Sequence, residues 1–290
     1  MEAKEGVNLY RRRRRYGARD KEELIKSIQK LHNEGYSQVD IAKRVGIARG
    51  TILRWNKELH FFEPRTPGEA GKLKNKIYNY DENYFASIDT LNKAYILGFI
   101  TGDGTIFDRK KSKRLVITLA EQDKQILCDI GKEMNVAELI KFRRRSTSNE
   151  QNKYSLVINS TKMCDDLITL GVTPKKTGNE KWIDFNDERL QWTYLRGLFD
   201  ADGHIRVFMS NGKTRARFGL TGNEKMLLNV LSFLKSNVFA KKVNSLYKKQ
   251  GCFDVQLGSI KELKQIYGKL YQYGDMKLNR KYQKFSSLMI

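Results

Sequence analysis

The stretch "YLRGLFDADGHIRV", residues 194 to 207, decides the fold predicted for this chain. Its apolar first half predicts a buried helix that ends on Asp200 and Asp202, after which the pattern changes to that of a strand. Carboxylates are unfavourable in the last turn of a helix, because the helix dipole places partial negative charge there. The stretch "YILGFITGDGTIF", residues 95 to 107, has the same layout and carries Asp103. Two apolar helices therefore end on acidic residues, and the role of these residues has to account for their unfavourable position.

Composition points to a polyanionic partner. The chain has 290 residues, 40% of them hydrophobic, which is enough for two or three domains with packed cores. Lys and Arg number 55 against 33 Asp and Glu, a formal net charge of +22. Such an excess favours nucleic acid, with an anionic membrane surface as the alternative.

Several other classes of protein are disfavoured. The sequence has no run of about 18 apolar residues and no apolar signal-peptide core near its start. We therefore expect a cytoplasmic protein, associated with the nucleoid in a prokaryote, while an organelle or the nucleus remains open. Cys128, Cys164 and Cys252 are widely spaced and form no CxxC pair, so neither a disulfide framework nor a zinc site is expected. Three histidines in the whole chain argue against a histidine-based triad.

Residues 1 to 60 predict a small DNA-binding domain. A run of five arginines at residues 11 to 15 precedes three helical segments. In the second segment, "SQVDIAKRVG", Ser37 is the expected N-cap and Gly46 the expected stop. Two short helices joined by a tight turn, the second one basic, are typical of a helix-turn-helix, although a helical bundle with a solvated charged face is the alternative. The candidate DNA contacts on the third helix are Arg49, Thr51, Arg54 and Lys57.

Residues 61 to 84 are predicted to be a linker, since residues 61 to 76 hold two of the three prolines.

The rest of the chain is duplicated. Gly197 and Asp202 lie 99 residues after Gly98 and Asp103. Both halves, residues 85–184 and 185–290, show the order helix, hairpin, helix, hairpin, helix, so an α+β fold with two matching antiparallel sheets is expected.

Basic residues are concentrated in the predicted strands. Residues two apart in a strand share a sheet face, as Arg143 and Arg145 are expected to do. A basic ribbon fits the major groove of B-DNA, whereas the alternative is an ordinary exposed polar face of an antiparallel sheet. The candidate DNA-binding residues in the strands are Arg114, Lys141, Arg143, Arg145, Arg206, Arg215 and Arg217.

The segments "ILGFITGDG" at 96–104 and "LRGLFDADG" at 195–203 resemble the two motifs of single-chain LAGLIDADG homing endonucleases. The second copy is the closer match, because the first has Thr101 and Gly102 in place of an acidic and a small residue. The resemblance covers roughly residues 85–290. It implies two αββαββα subdomains with curved antiparallel sheets, related by a pseudo-twofold axis, alongside the small all-α domain.

The resemblance also implies a site between the two motif helices. Gly98 and Gly197 would allow the helices to approach closely, and the acidic residues would then share divalent ions. The implied metal site consists of Asp103, Asp202, Gly102 and Ala201. Two or three Mg²⁺ ions would be shared near the axis, with Mn²⁺ or Ca²⁺ able to replace Mg²⁺ in binding.

Further residues near this site are candidates for catalytic or supporting roles. Lysines late in each half, Lys176 and Lys281, are nominated as catalytic together with Asp103 and Asp202, and Lys175 and Arg280 are their immediate competitors. We expect Asp200 to have a structural or supporting role, since the first half has Thr101 in its place. We expect Gly104 and Gly203 to end the motif helices in a left-handed conformation.

These inferences favour a monomeric, Mg²⁺-dependent endonuclease that makes a double-strand break at a long asymmetric DNA site. Two alternatives stay open: a transcription regulator built on an inactive LAGLIDADG scaffold, of the WhiA type, and a maturase that binds intron RNA. An intein is not expected, because the segments "MEAKEG" and "SLMI" lack splice-junction chemistry.

Overall fold

The computed structural model describes residues 17–66, 80–109, 112–147, 150–176, 178–238 and 246–289. The chain forms two compact units, which divide between Asn79 and Tyr80. The arginine run and most of the predicted linker lie outside the described residues. None of the described helices is long and apolar enough to cross a membrane.

The N-terminal unit is the predicted helix-turn-helix. Its helices are α1 (Ala18–Asn33), α2 (Gln38–Val45) and α3 (Arg49–Leu59). As predicted, Ser37 caps α2 by accepting a hydrogen bond from the main-chain N–H of Asp40 at 3.1 Å, and Gly46 ends the helix at φ 72°. The three helices pack around a small core made by Ile28, Ile41, Ala42, Ile47, Ile52 and Trp55.

The described part of this unit extends into the predicted linker. Phe62 exchanges two hydrogen bonds of 2.9 Å with the side chain of Asn56, and Arg65 donates to the carbonyl of Tyr36 at 2.8 Å. Residues 61–66 therefore belong to the helical unit, because their main chain finds its partners there. At the other end of the predicted linker, Tyr84 is buried within the second unit.

The first half of the second unit follows the predicted order. It consists of α4 (Leu91–Asp103), β1 (Gly104–Arg109), β2 (Ser112–Ala120), α5 (Lys124–Glu133), β3 (Ile140–Arg143), β4 (Lys153–Ile158) and α6 (Thr161–Leu170). The strands form one antiparallel sheet in the order β1-β2-β4-β3.

The second half repeats this arrangement. It consists of α7 (Glu188–Asp202), β5 (Gly203–Ser210), β6 (Lys213–Gly222), α8 (Glu224–Val238), β7 (Tyr247–Lys249), β8 (Cys252–Leu257), α9 (Ile260–Leu270) and α10 (Asn279–Ser286). The sheet order β5-β6-β8-β7 matches the first sheet, so the predicted fold class is confirmed. Helix α10 was not anticipated, and it completes the core of this half by burying Phe285.

The helices α4 and α7 pack with main chain against main chain. A Cβ atom added to Gly98 would lie 2.0 Å from the carbonyl oxygen of Tyr194, and one added to Gly197 would lie 2.0 Å from that of Tyr95. The two contacts are reciprocal and use residues at the repeat spacing. They therefore define the predicted pseudo-twofold relation and place both glycines at the contact between the two helices.

The expected left-handed conformation of Gly104 and Gly203 is wrong. Both residues are extended, with φ −75° and −86°. The reason for glycine is space: a Cβ on Gly104 would lie 2.6 Å from the Ile100 carbonyl, and one on Gly203 would lie 2.2 Å from the Phe199 ring. The chain turns from helix into strand so sharply that a side chain has no room.

We expect Gly197→Ala to lower the free energy of unfolding by about 3 kcal/mol, since neither backbone can move aside without separating α4 from α7. Gly268→Ala, in α9, is the matched control, because a Cβ there meets nothing within 4 Å. That change should raise stability by about 0.5–1 kcal/mol through helix propensity. Urea unfolding of both variants measures the difference, and equal stability of the two would contradict the proposed packing constraint.

Candidate functional site

Asp103 and Asp202 are the last residues of α4 and α7, so the interface between these helices brings both carboxylates to one end of the helix pair. The helix ends touch. A Cβ added to Gly102 would lie 2.3 Å from the Cβ of Ala201 and 2.9 Å from Oδ2 of Asp202. Glycine is required at position 102 because the opposite helix carries alanine and a carboxylate at that point.

Burial raises the pKa of both carboxyl groups. It raises the pKa of Asp202 to about 6, with a further contribution from the negative charge of Asp103. It also raises the pKa of Asp103, against the opposing effect of Lys281 and Lys176. The two acids thus occupy a place where negative charge is disfavoured until more positive charge is supplied.

Two lysines bind the ends of the motif helices. The Nζ of Lys281 donates to the carbonyls of Phe199 at 2.8 Å, Asp200 at 2.7 Å and Ala201 at 3.3 Å. The Nζ of Lys176 makes the equivalent contacts in the first half. Its acceptors are the carbonyls of Ile100, Thr101 and Gly102. Each ammonium group thereby supplies the positive charge that the last turn of its helix lacks.

The competitors of these lysines lie elsewhere. Arg280 forms a bidentate ion pair with Asp123, at 2.8 and 3.0 Å, which joins α10 of the second half to the first half. Lys175 is exposed and adopts φ 54°. The structure therefore brings the two nominated lysines to the acidic helix ends, although it places them on carbonyl oxygens.

Asp200 ties three elements together. Its carboxylate is 1% exposed and accepts a hydrogen bond of 2.8 Å from the hydroxyl of Tyr95, on the opposite helix. It also accepts one of 2.7 Å from the main-chain N–H of Leu278, the residue that precedes α10. Because α10 carries Lys281, Asp200 helps to set where that lysine lies. The sequence signalled this residue only by its contrast with Thr101.

The donor set suits a hard divalent cation. Positions 102 and 201 can contribute only main-chain carbonyl oxygens, and those oxygens accept hydrogen bonds from the lysines. Among the described residues, no group of three or more His, Cys, Asp and Glu side chains could hold a metal ion. Asp103 and Asp202 therefore offer two carboxylates, a set that fits Mg²⁺ when water and phosphate oxygens complete its coordination.

The open faces of both sheets are basic. Strand register places Arg206 directly opposite Arg217, and Arg114 opposite Phe107. The face of the first sheet forms a cleft of about 370 Å³ that reaches Asp103. Six of the seven predicted strand residues lie on these faces: Arg114, Lys141, Arg143, Arg206, Arg215 and Arg217. The placement of Arg145 in a strand is wrong, because β3 ends at Arg143 and strand alternation stops there.

The third helix of the N-terminal unit presents its predicted contacts outward. Arg49, Arg54 and Lys57 are exposed and Thr51 is half-buried, while Ile52 and Trp55 fill the core beneath them. Arg49 Nε donates to the side chain of Gln38 at 3.3 Å, which links the third helix to the second. The basic face of α3 is therefore held by the core on its opposite side.

A family model supports the assignment of this unit. The helix-turn-helix domain of resolvase matches residues 12–58. Curated relatives include the replication factor C small subunit of Methanocaldococcus jannaschii, 24% identical over 211 residues, which cover 67% of this chain and 11% of that protein. The ribonucleoside-diphosphate reductase NrdEB subunit alpha of Bacillus subtilis is 26% identical over 176 residues, 55% of this chain and 16% of that protein. The chain thus spans a small part of both relatives.

Solved structures similar to this chain include two nucleases. One is the LAGLIDADG meganuclease I-AabMI bound to uncleaved DNA, with 15% identity, a TM-score of 0.45, and coverage of 67% of this chain and 88% of that one. Another is the LAGLIDADG homing endonuclease I-LtrWI bound to target DNA, with 13% identity, a TM-score of 0.45, and coverage of 72% and 90%.

The lysine beneath α7 should make stability depend on pH. Burial lowers the pKa of Lys281 from 10.5 to about 8. Between these values the unfolded chain binds more protons than the folded one, so this group makes the free energy of unfolding rise with pH. The slope from one group is at most about 1.4 kcal/mol per pH unit.

The free energy of unfolding of Lys281→Met should therefore lack this rise between pH 8 and 9.5, whereas that of Lys284→Met should keep it. Urea unfolding of both variants at several pH values measures the difference. Lys284 is exposed on the same helix and serves as the control for loss of one positive charge. Equal pH slopes for the two variants would show that Lys281 is not held as a buried ammonium.

Proposed function

We propose that this protein is a site-specific DNA endonuclease of the LAGLIDADG class, which makes a double-strand break by Mg²⁺-dependent hydrolysis at a long asymmetric site. The observation that supports it most strongly is the paired placement of Asp103 and Asp202 at touching helix ends, next to basic open sheet faces. Two acids in matched positions suit the cleavage of two strands. Because both halves are in one chain, the enzyme would act as a monomer.

The acidic residues and the lysines of the site would have different roles in the reaction. Asp103 and Asp202 would bind divalent ions, which when bound activate water and stabilise the charge on the scissile phosphate. Lys176 and Lys281 would hold the main chain beneath each acid, so that the carboxylates keep their position as DNA arrives. Their positive charges also lie near the site where negative charge develops, which favours the transition state.

The open sheet faces would lie along the major groove. Arginine and lysine on these strands would contact phosphates and the acceptor atoms of guanine. The two faces differ in sequence, and an asymmetric site follows from that difference. Double-stranded DNA is thus the partner we propose, in the cytoplasm or the nucleoid.

Asp103→Asn and Asp202→Asn should each abolish double-strand cleavage and leave specific binding intact, since the amide keeps the shape and loses the charge that holds a cation. The assay incubates the protein with a randomised DNA library in Mg²⁺ or in chelator and sequences the broken ends. Asp165→Asn is the control, because this carboxylate belongs to α6 and pairs with Lys113 in a partly buried ion pair. Normal cutting of both strands by either site variant would disprove the assignment.

A second candidate function is transcription regulation, which the helix-turn-helix unit favours. A regulator would bind a specific sequence through both units and cleave none. The same library separates the two functions, because specific binding without Mg²⁺-dependent cleavage at any sequence would support the regulator.

In both candidate functions we expect the N-terminal unit to bind DNA. Replacing Arg49, Arg54 and Lys57 by alanine should weaken binding and reduce the slope of log affinity against log salt by about 2–3, since each lost phosphate contact accounts for about 0.9. The matched control replaces Arg19, Lys26 and Lys30, which are exposed on α1. If both triple variants reduce the slope equally, α3 has no special part in DNA binding.

A further inference from the structure

The open face of the second sheet contains one buried carboxylate. Asp254, in β8, lies directly opposite Thr221 of β6 and is 0% exposed. Thr221 is on the same face as Arg217, because the two are an even number of residues apart in one strand. The opposite face carries the core residues Phe218 and Leu220. Asp254 is the single acidic residue in the four strands of this sheet, and it lies on the basic face.

Asp254 collects donors from its own strand and from both neighbouring strands. Thr221 Oγ1 donates to it at 3.0 Å and Gln256 Nε2 at 2.6 Å, while Lys249 Nζ forms an ion pair with it at 3.0 Å. The Nε2 of His204 lies 3.9 Å away. A buried carboxylate with this many partners fixes the direction of each donor, since a carboxylate only accepts hydrogen bonds.

The equivalent place in the first sheet has different chemistry. There Thr118 lies opposite Ser155, just as Thr221 lies opposite Asp254. The two hydroxyl groups are 2.8 Å apart and form a neutral pair. Val157 occupies the position that corresponds to Gln256, so the first sheet has an apolar residue where the second has an amide.

A glycine in the second sheet makes room for the His204 ring beside this network. His204 lies opposite Gly219, and a Cβ added to that glycine would lie 2.2 Å from the imidazole Cε1. The corresponding pair in the first sheet is Thr105 and Val116. The two halves therefore differ at the same point, next to the acidic helix ends, through a polar network in the second sheet alone.

We propose that Asp254 is a positioning residue for base recognition, which holds Gln256 and Lys249 so that they contact an adenine and a guanine in the major groove. The inference rests on the proposed function, because it requires DNA on the open face of the second sheet. It assigns sequence preference in one half of the target to a residue that itself never touches DNA.

The hydrogen-bonding groups of Gln256 and Lys249 indicate which bases these side chains would contact. Asp254 takes one amide hydrogen of Gln256, which leaves the carbonyl oxygen and the other hydrogen, the pair that matches N6 and N7 of adenine. Lys249 is 42% exposed and keeps two further N–H donors, which match O6 and N7 of guanine. Holding both side chains before DNA arrives reduces the entropy lost on binding.

The experiment compares base preference at every position of the target. Wild-type protein, Asp254→Ser and Asp254→Asn are each used to select bound sequences from randomised DNA without divalent metal. Serine is the residue that the first half carries at this position, and asparagine keeps the shape. Preference for the adenine and the guanine under the second sheet should fall roughly tenfold. Preference elsewhere should be unchanged, and affinity for random DNA should not fall, since a negative charge has been removed.

Two further variants make the result decisive. Asp165→Ser removes an equal charge from the partly buried pair with Lys113 and should alter base preference at no position of the target. Gln256→Leu should relax the adenine position alone, and it tests the inference even if the Asp254 variants fail to fold.

Unchanged preference in the folded variants would overturn the inference, as would an equal loss over both halves of the target with lower thermal stability. If the wild-type protein prefers no DNA sequence over random DNA, the proposed function fails, and this inference fails with it.

Discussion

The structure depends on the close approach of α4 and α7. Gly98 and Gly197 let each helix place its main chain against the other, and from this contact the rest of the second unit follows. The two sheets extend from the ends of these helices, since β1 and β5 begin at the next residue. The same contact brings Asp103 and Asp202 together. A packing requirement thus determines where the two carboxylates lie.

The acidic helix ends are electrostatically unfavourable in isolation, and the chain compensates from a distance in sequence. Lys176 and Lys281 reach the last carbonyls of α4 and α7 from segments about 75 to 80 residues away. Burial lowers the pKa of both lysines to about 8, so each is held charged at neutral pH at a cost in stability. Such a cost is typical of functional sites.

Sequence periodicity predicted the elements well, because hydrophobic patterns and turn residues act locally. The Asn211–Gly212 turn, with φ 50° and 69°, is one example. The contacts of Lys281 and the partners of Asp254 could not be predicted, since they join residues that are distant in sequence. The extended conformation of Gly104 was not predicted, because glycine at a helix end more commonly adopts a left-handed conformation. Here glycine is required because a Cβ atom would collide with Ile100.

An interface whose closest contacts join main chain to main chain leaves some of the side-chain positions around it free to differ. After a gene duplication, the two halves of such a protein could diverge at those positions while the glycines and the helix-end acids were kept. Leu97 and Arg196 show the extent of that freedom: they occupy equivalent positions, yet one is apolar and the other donates to the carbonyl of Tyr273 at 2.6 Å. A symmetric ancestor could thereby become an asymmetric protein without losing the contact between its halves.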